Sequence, residues 1–506
     1  MNTKFCAKPD GKLHYPHTIL TGFAFLASSI AWAIYDPFVT KILNRLLQAS
    51  PTITHWSAVL SEKLPFLVKF SATQGDDVAA LGLVPLFIGI IMTFDNIFGV
   101  IFQPTFGKIS DRTHSKMGKR KPYIVFGAPA SALFFALIPI IAIKTGSLPM
   151  TMVCIILYVF IMSLWRAPCV ALMPDLCPNE LRSEGNAIIN LVGGVGSVIG
   201  MVAGTIVTAV YCLVTGIDKK SDAFDELNTF PYVFLLGAVV MIICTLVVYF
   251  TVKEPDSRLK AVSEAAQAAD EAAKAKAEKE AAKAEKEALK AEKLSGAERK
   301  SLIFMMGCLF FLFCGTNAVT TFFALFADEI LHKTASEATL MATALGAAVA
   351  VGAIPAGWLG KHLGRKKTII LGLIVYLAAF GSYIFAQDVL HSVPLMNVLI
   401  WVALIVGGFG QIFITVNTLP LVLEIGGINK VGTFTGYYYT ATFSAQIATP
   451  IVFGIVAMIT NTYKTLFYYC PACFILSLLC ILVVKHGEAQ TISDEMIEKI
   501  RDENED

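Results

Sequence analysis

Gly107-Lys-Ile-Ser-Asp111-Arg112, closing on Gly118-Lys-Arg120-Lys121, sets a dense group of charges between two long apolar runs, 81–107 and 122–144. A second stretch of this kind, Gly357-Trp-Leu-Gly-Lys361-His362 closing on Gly364-Arg365-Lys-Lys367, stands between the runs 338–359 and 368–387. The likeness continues farther along each part of the chain. Ala171-Leu-Met-Pro174-Asp175 has its counterpart in Thr418-Leu-Pro420-Leu-Val-Leu-Glu424, each stretch closing on a carboxylate. A pattern written twice among long apolar segments predicts internal repeats, the arrangement in which a binding site forms near the membrane midplane between repeats.

The remaining runs fall near 18–40, 149–173, 185–213, 231–252, 301–327, 395–423, 431–459 and 463–484, which makes twelve. Each is close to the ~20 residues a helix needs to cross about 30 Å of hydrocarbon. Composition agrees: of 506 residues 56% are hydrophobic and only 15% charged, with a mean hydropathy of +0.66. In hydrocarbon every backbone amide needs an internal partner, so the runs are helices. The predicted fold class is an all-α polytopic membrane protein, with twelve transmembrane helices in two pseudo-symmetric six-helix bundles. The first run is too long for the apolar core of a secretory signal and is read as an uncleaved first helix.

A net charge of +2 offers no broad basic field, so no nucleic-acid partner is expected; the lipid bilayer is the surrounding medium. The basic residues matter by position. Lys108, Arg112, Lys116, Lys119, Arg120 and Lys121 after the second span, and Lys361, Arg365, Lys366 and Lys367 after the eighth, predict that these loops are cytoplasmic. Both termini then lie inside a cell membrane, plasma or inner. The expected organisation is a cytoplasmic N-terminus (1–17), a first bundle (18–252) with a long external connection (41–80), a cytoplasmic linker (253–300), a second bundle (301–484) and a cytoplasmic tail (485–506). The Ala, Glu and Lys of the linker are strong helix formers, with supporting pairs such as Asp270 with Lys274. It carries no apolar heptad seam, which speaks against a coiled-coil docking arm; a monomer is expected.

The quoted residues carry a family likeness. Gly107 to Arg120 resembles the loop signature of the major facilitator superfamily. The longer stretch Gln103-Pro104 through Pro122-Tyr-Ile, with Arg166-Ala-Pro168 through Asp175, resembles its sucrose-transporter-like and glycoside–cation symporter branch. The resemblance implies a cytoplasmic charge cluster that clamps helix ends, made of Gly107, Asp111, Arg112, Gly118, Arg120, Asp175 and Arg182, with Arg365 and Glu424 in the second half. It departs from the pattern in two places. Plant-type carriers have an Arg where Val170 stands, with Arg166 one turn earlier; melibiose-type carriers have acidic residues where Gly99 and Gln103 stand. A proton is therefore the expected coupling ion, with sodium left open, and no cofactor or metal is called for.

A charge inside the membrane is costly and persists where it faces a cavity or a partner. Asp95 near the middle of span two, Arg166 in span four and Asp36 toward the outer end of span one are the candidates for proton coupling and substrate binding. Helix rise puts Asp95 about 18 Å from Gly107 and Arg166 about 13–14 Å from Asp175, so the two side chains are expected to meet. A sugar needs donors and acceptors for its hydroxyls and flat rings for its C–H faces. Trp32, Tyr35, Asn317, Gln411, Asn417, Tyr437 and Gln446 are candidates, each of which alternatively serves as an interhelical bond or interfacial aromatic. Gly196, Gly200 and Gly204 predict close helix packing on span five. Cys470-Pro-Ala-Cys473 lies in an apolar span without the strand–helix context of redox chemistry, and no enzyme motif stands. The expected function is proton-coupled symport of a sugar or glycoside; an exporter of drugs or other small metabolites is the alternative, and a membrane sensor a third class.

Overall fold

Among the described residues, twelve helices long and apolar enough to cross a membrane stand where the hydropathy places them. The computed structural model describes residues 5–8, 12–65, 68, 82–178, 181–219, 221, 223–255, 296–389, 393–426 and 431–485. Spans one to six are Tyr15–Gln48, Val84–Asp111, Lys121–Thr145, Leu148–Leu176, Arg182–Thr215 and Phe230–Thr251. Spans seven to twelve are Gly296–Leu331, Ala335–His362, Arg365–Asp388, Val393–Gly426, Val431–Thr460 and Leu466–Val483. Apart from one isolated bridge between Ala7 and Leu13, the regular structure among the described residues is helical. Most of the linker, and part of the connection 66–81, lie outside the described residues.

Several helices outrun their apolar cores. Span one has 34 residues, about 51 Å of rise, and continues through Lys41 and Arg45 beyond the end expected at residue 40. Hydropathy misses such an extension because the charges on it are neutralised by distant partners: Lys41 by Glu226, and Arg45 by Asp225. A separate helix, Pro51–Lys63, occupies part of the long connection after it. The longer first helix also moves Asp36 away from the end where the sequence placed it and toward the middle of the span.

Packing divides the chain into two compact units. The first comprises Met1–Glu285, Cys314–Ala344 and Ala445–Cys470; the second comprises Lys286–Phe313, Leu345–Ser444 and Pro471–Asp506. Within the first, span one lies along the glycine face of span five. A Cβ at Gly196 would stand 2.7 Å from the Leu26 carbonyl oxygen, and one at Gly200 would stand 2.9 Å from that of Ile30. Only glycine permits so close an approach. Phe38 packs edge-on to Phe230 at 4.9 Å, and Phe135 against Phe234 at 4.5 Å, filling the space among spans one, three and six. In the second unit Tyr376 meets the edge of Phe474 at 4.3 Å, joining spans nine and twelve.

The repeat read from the sequence recurs in the backbone. Gly118 and Gly364, just before spans three and nine, have φ of 94° and 88°, a conformation glycine adopts without penalty. The lysine following each signature arginine then binds the end of a later helix. Lys121 donates to the Val252 carbonyl at 2.7 Å, and Lys366 donates to that of Val484.

Candidate functional site

Residues spaced three and four apart on span one, Ser29, Trp32, Ala33 and Asp36, share one helix face and form a wall of a cavity of about 280 Å³. Arg166 closes it from span four, and Ser197 and Met201 from the small-residue face of span five. The close seating of span one on Gly196 and Gly200 thus sets the width of this cavity. Arg166 donates from Nη1 to Ser28 Oγ at 2.9 Å, and its guanidinium lies over the Trp32 ring at 5.7 Å.

Asp36, Asp95 and Arg166 lie within electrostatic reach of one another, but no direct ion pair joins them. The expected meeting of Asp95 with Arg166 is corrected in this respect. The guanidinium is held toward span one by Ser28 and Trp32, while an Asp95 oxygen accepts from the Asn96 backbone N–H at 2.7 Å. Around Asp95, span two is tied to span eleven: Asn96 Nδ2 donates to the Gln446 carbonyl at 3.4 Å, and Thr93 Oγ1 reaches that of Ile447 at 3.4 Å. Gln446 therefore joins this region through its backbone.

Behind Trp32 lies an aromatic residue the sequence did not single out. Tyr158, two turns before Arg166 on span four, packs against Tyr35 at 5.2 Å and Trp32 at 6.2 Å. The only signal available in the sequence was that helical spacing from an intramembrane arginine. Trp32 Nε1 and the hydroxyls of Tyr35 and Tyr158 are buried without a hydrogen-bond partner, as is Asn317 Nδ2 on span seven. Buried polar groups are nearly always paired, so these atoms hold hydrogen-bonding capacity that the described residues leave unused.

The other sugar candidates lie in the second unit. Gln411 has a buried, unpartnered Oε1. Asn417 donates to the Ala356 and Phe413 carbonyls at 3.2 and 2.9 Å, which makes it an interhelical tie between spans eight and ten. Tyr437 is exposed and packs edge-on to Phe434.

The signature loop is organised by Arg120. Only 5% exposed, it donates to Asp175 from Nε at 2.8 Å, to the Gly107 carbonyl at 3.1 Å, to Ser110 Oγ and to Asp111. Lys119 adds an ion pair to Asp175 at 3.2 Å. A planar five-donor fork suits such a crowd of acceptors. Arg112 is exposed and forms no ion pair among the described residues, and the Arg182 side chain lies outside them. In the second unit Arg365 pairs with Glu424, the counterpart of Arg120 with Asp175.

Glu254, just past span six, completes the first cluster unannounced by any motif. Its carboxylate accepts the backbone N–H groups of Lys119, Arg120 and Lys121 at 2.9 to 3.1 Å, at the positive end of span three. It also crowds the place where Gly118 would carry a Cβ, a second reason for that glycine. Burial pushes the Glu254 carboxyl above the usual carboxylate range and nearby Asp175 adds to the push, while the three N–H groups pull the other way.

Residues 77–425 match the family described as MFS/sugar transport protein. The sucrose transport protein SUC4 of Arabidopsis thaliana is 30% identical over 198 residues, covering 35% of this chain and 37% of that protein. SUC3 of the same plant is 26% identical over 208 residues, covering 35% and 32%. The chain thus spans about a third of the length of these relatives. Among solved structures, the inward-open xylose transporter XylE from E. coli superposes with a TM-score of 0.59 at 15% identity, covering 96% of this chain and 99% of that one. A D-xylose-proton symporter gives 0.56 at 16% identity, covering 92% and 96%. At such identities the likeness is one of fold.

Proposed function

This chain belongs to the family of MFS/sugar transport proteins, and on that premise we propose that it carries a sugar or glycoside together with a proton by alternating access. The observation that carries the reading is the cavity between spans one, four and five, where Asp36 and Arg166 lie beside aromatic groups whose polar atoms are unpartnered. Trp32, the ring that lines the cavity, offers a flat face to the C–H patches of a sugar, and its unpartnered Nε1 offers a donor to a hydroxyl. Asp36 and Asp95 against a single guanidinium carry one negative charge in excess when all are ionised. In a low-dielectric site one bound proton cancels that excess, so the site loaded with proton and sugar carries no net charge. The names of the relatives, sucrose transport proteins and a D-xylose-proton symporter, favour the same class of cargo.

In this reading the two basic loops face the cytoplasm of a cell membrane, and the end of span one at Gln48 faces outward. The arginine-centred clusters brace helix ends at the inner face. The test is uptake by the purified protein in proteoliposomes, with an imposed pH gradient and a panel of labelled disaccharides and glycosides. Asp95→Asn loses uphill accumulation and keeps downhill exchange, because asparagine cannot cycle a proton. If that variant still moved protons with sugar at the wild-type ratio, coupling would not reside in Asp95 and Asp36 would be the next residue to test.

A further inference from the structure

We propose that Lys41 is a positioning residue of the transport cycle: it pins the outer end of the first unit shut and releases Asp328 when the cavity opens outward. The proposal rests on the alternating-access reading above. Lys41 lies on a membrane-spanning helix at the end opposite the basic loops, an unusual place for a cation.

Lys41 Nζ stands 2.9 Å from Glu226 Oε2 and 2.8 Å from Asp328 Oδ1. The second oxygen of Glu226 accepts the backbone N–H of Ala335, the first residue of span eight. One ammonium group therefore gathers span one, the short helix Glu226–Thr229 that precedes span six, the last turn of span seven and the first turn of span eight. Adjacent contacts draw the same ends together. Thr205 Oγ1 donates to the Ser336 carbonyl at 3.2 Å, the Thr208 and Ser336 hydroxyls are 3.2 Å apart, and Lys219 pairs with Glu337 at 2.9 Å.

The two partners of Lys41 differ in a way that suits a pin that opens. Lys41 is 7% exposed and Glu226 11%, whereas Asp328 is 48% exposed. Breaking a buried pair is strongly disfavoured because it leaves an uncompensated charge, while a half-exposed carboxylate returns to water at little cost. Span one and the lead-in to span six belong to the first six spans, and Asp328 and Ala335 to the last six. Separation between those two sets keeps Lys41 with Glu226 and gives up Asp328, along with the Glu226–Ala335 hydrogen bond and the neighbouring contacts to Ser336 and Glu337. The buried ammonium thus keeps a counter-charge in both the closed and the open arrangement, as a two-state element requires.

The test reads access to the cavity from outside. Ser197 lines the cavity; Ser197→Cys is labelled with a membrane-impermeant maleimide in intact cells, against the parent carrying its native cysteines. Asp328→Asn, which loses the ion pair but keeps the shape, speeds labelling about two- to fivefold. Lys41→Arg retains the slow rate, which separates the charge contact from mere side-chain packing. Oxidative cross-linking of Thr208→Cys with Ser336→Cys brings labelling down to the parent background and stops uptake, and reductant restores both. An unchanged labelling rate in Asp328→Asn, or a cross-linked protein that turns over normally, overturns the proposal. Labelling needs neither sugar nor proton gradient, so a wrong substrate class shows in the uptake panel and leaves this result standing.

Discussion

Replacing Gly200 by alanine adds one methyl group where span five meets span one. The new Cβ would sit 2.7 Å from Ala33 Cβ and 2.9 Å from the Ile30 carbonyl oxygen. Carbon atoms rest at about 3.5–4.0 Å, so the two helices must part by roughly 1 Å locally. A gap of that size forfeits about a quarter to a half of the dispersion attraction at each affected contact. Overpacking of this kind costs about 1–3 kcal/mol, and Gly200→Val costs more. The displacement also reaches the cavity, because Ala33 lies on one wall and Ser197 and Met201, neighbours of Gly200, lie on another. Gly200→Ala should therefore lower the melting temperature of the purified protein and raise KM for uptake more than it lowers Vmax. Gly194→Ala is the control: a Cβ there meets nothing within 4 Å and should leave both unchanged. Wild-type melting and KM in Gly200→Ala would refute the argument that this contact sets the width of the site.

Arg120→Lys replaces a five-donor fork with a point charge and cannot serve Asp175, Asp111 and the Gly107 carbonyl together. With Asp175 25% exposed and Asp111 53% exposed, the loss is discounted to about 1–3 kcal/mol, seen as a lower melting temperature and slower turnover with binding largely kept. Tyr158→Phe removes a hydroxyl that has no partner, so stability should hold or rise; a raised KM would place that hydroxyl on the sugar, and an unchanged KM would remove it from the site. For Glu254, a folded pKa above the ordinary 4.5 means that the folded protein holds the proton more tightly than the unfolded chain does. Its contribution to stability accordingly falls as pH rises from 4.5 through the folded value, and Glu254→Gln, which keeps an acceptor oxygen, should flatten the curve of melting temperature against pH over that window. Parallel curves for the two proteins would contradict that assignment.

The sequence made the spans legible because hydrocarbon imposes one demand on all of them, and a run of apolar side chains answers it locally. Lys41 and Arg45 show where that logic ends. Their partners are 180 residues away or more, and no local window reveals that the helix continues through them. Asp36, Asp95 and Arg166 stood out because charges are rare in such runs, and they do gather within reach of one another. What holds Arg166 toward span one is its bond to Ser28 and its place over the Trp32 ring, a matter of packing and not of spacing. Tyr158 escaped notice because a tyrosine in an apolar run looks like any other aromatic, and Glu254 because it reads as the first acid of a charged tract.

Glu254 bears on that tract in another respect. It lies where the second span-and-loop signature has no counterpart among the described residues, and it fastens the chain leaving span six to three N–H groups at the start of span three. A pull on the segment that follows, from a binding protein or a membrane surface, is borne at that point and not along span six. Force there loosens the turn at Gly118 and with it the footing of Arg120, so the carboxylate couples tension in the connecting segment to the charge cluster of the first repeat.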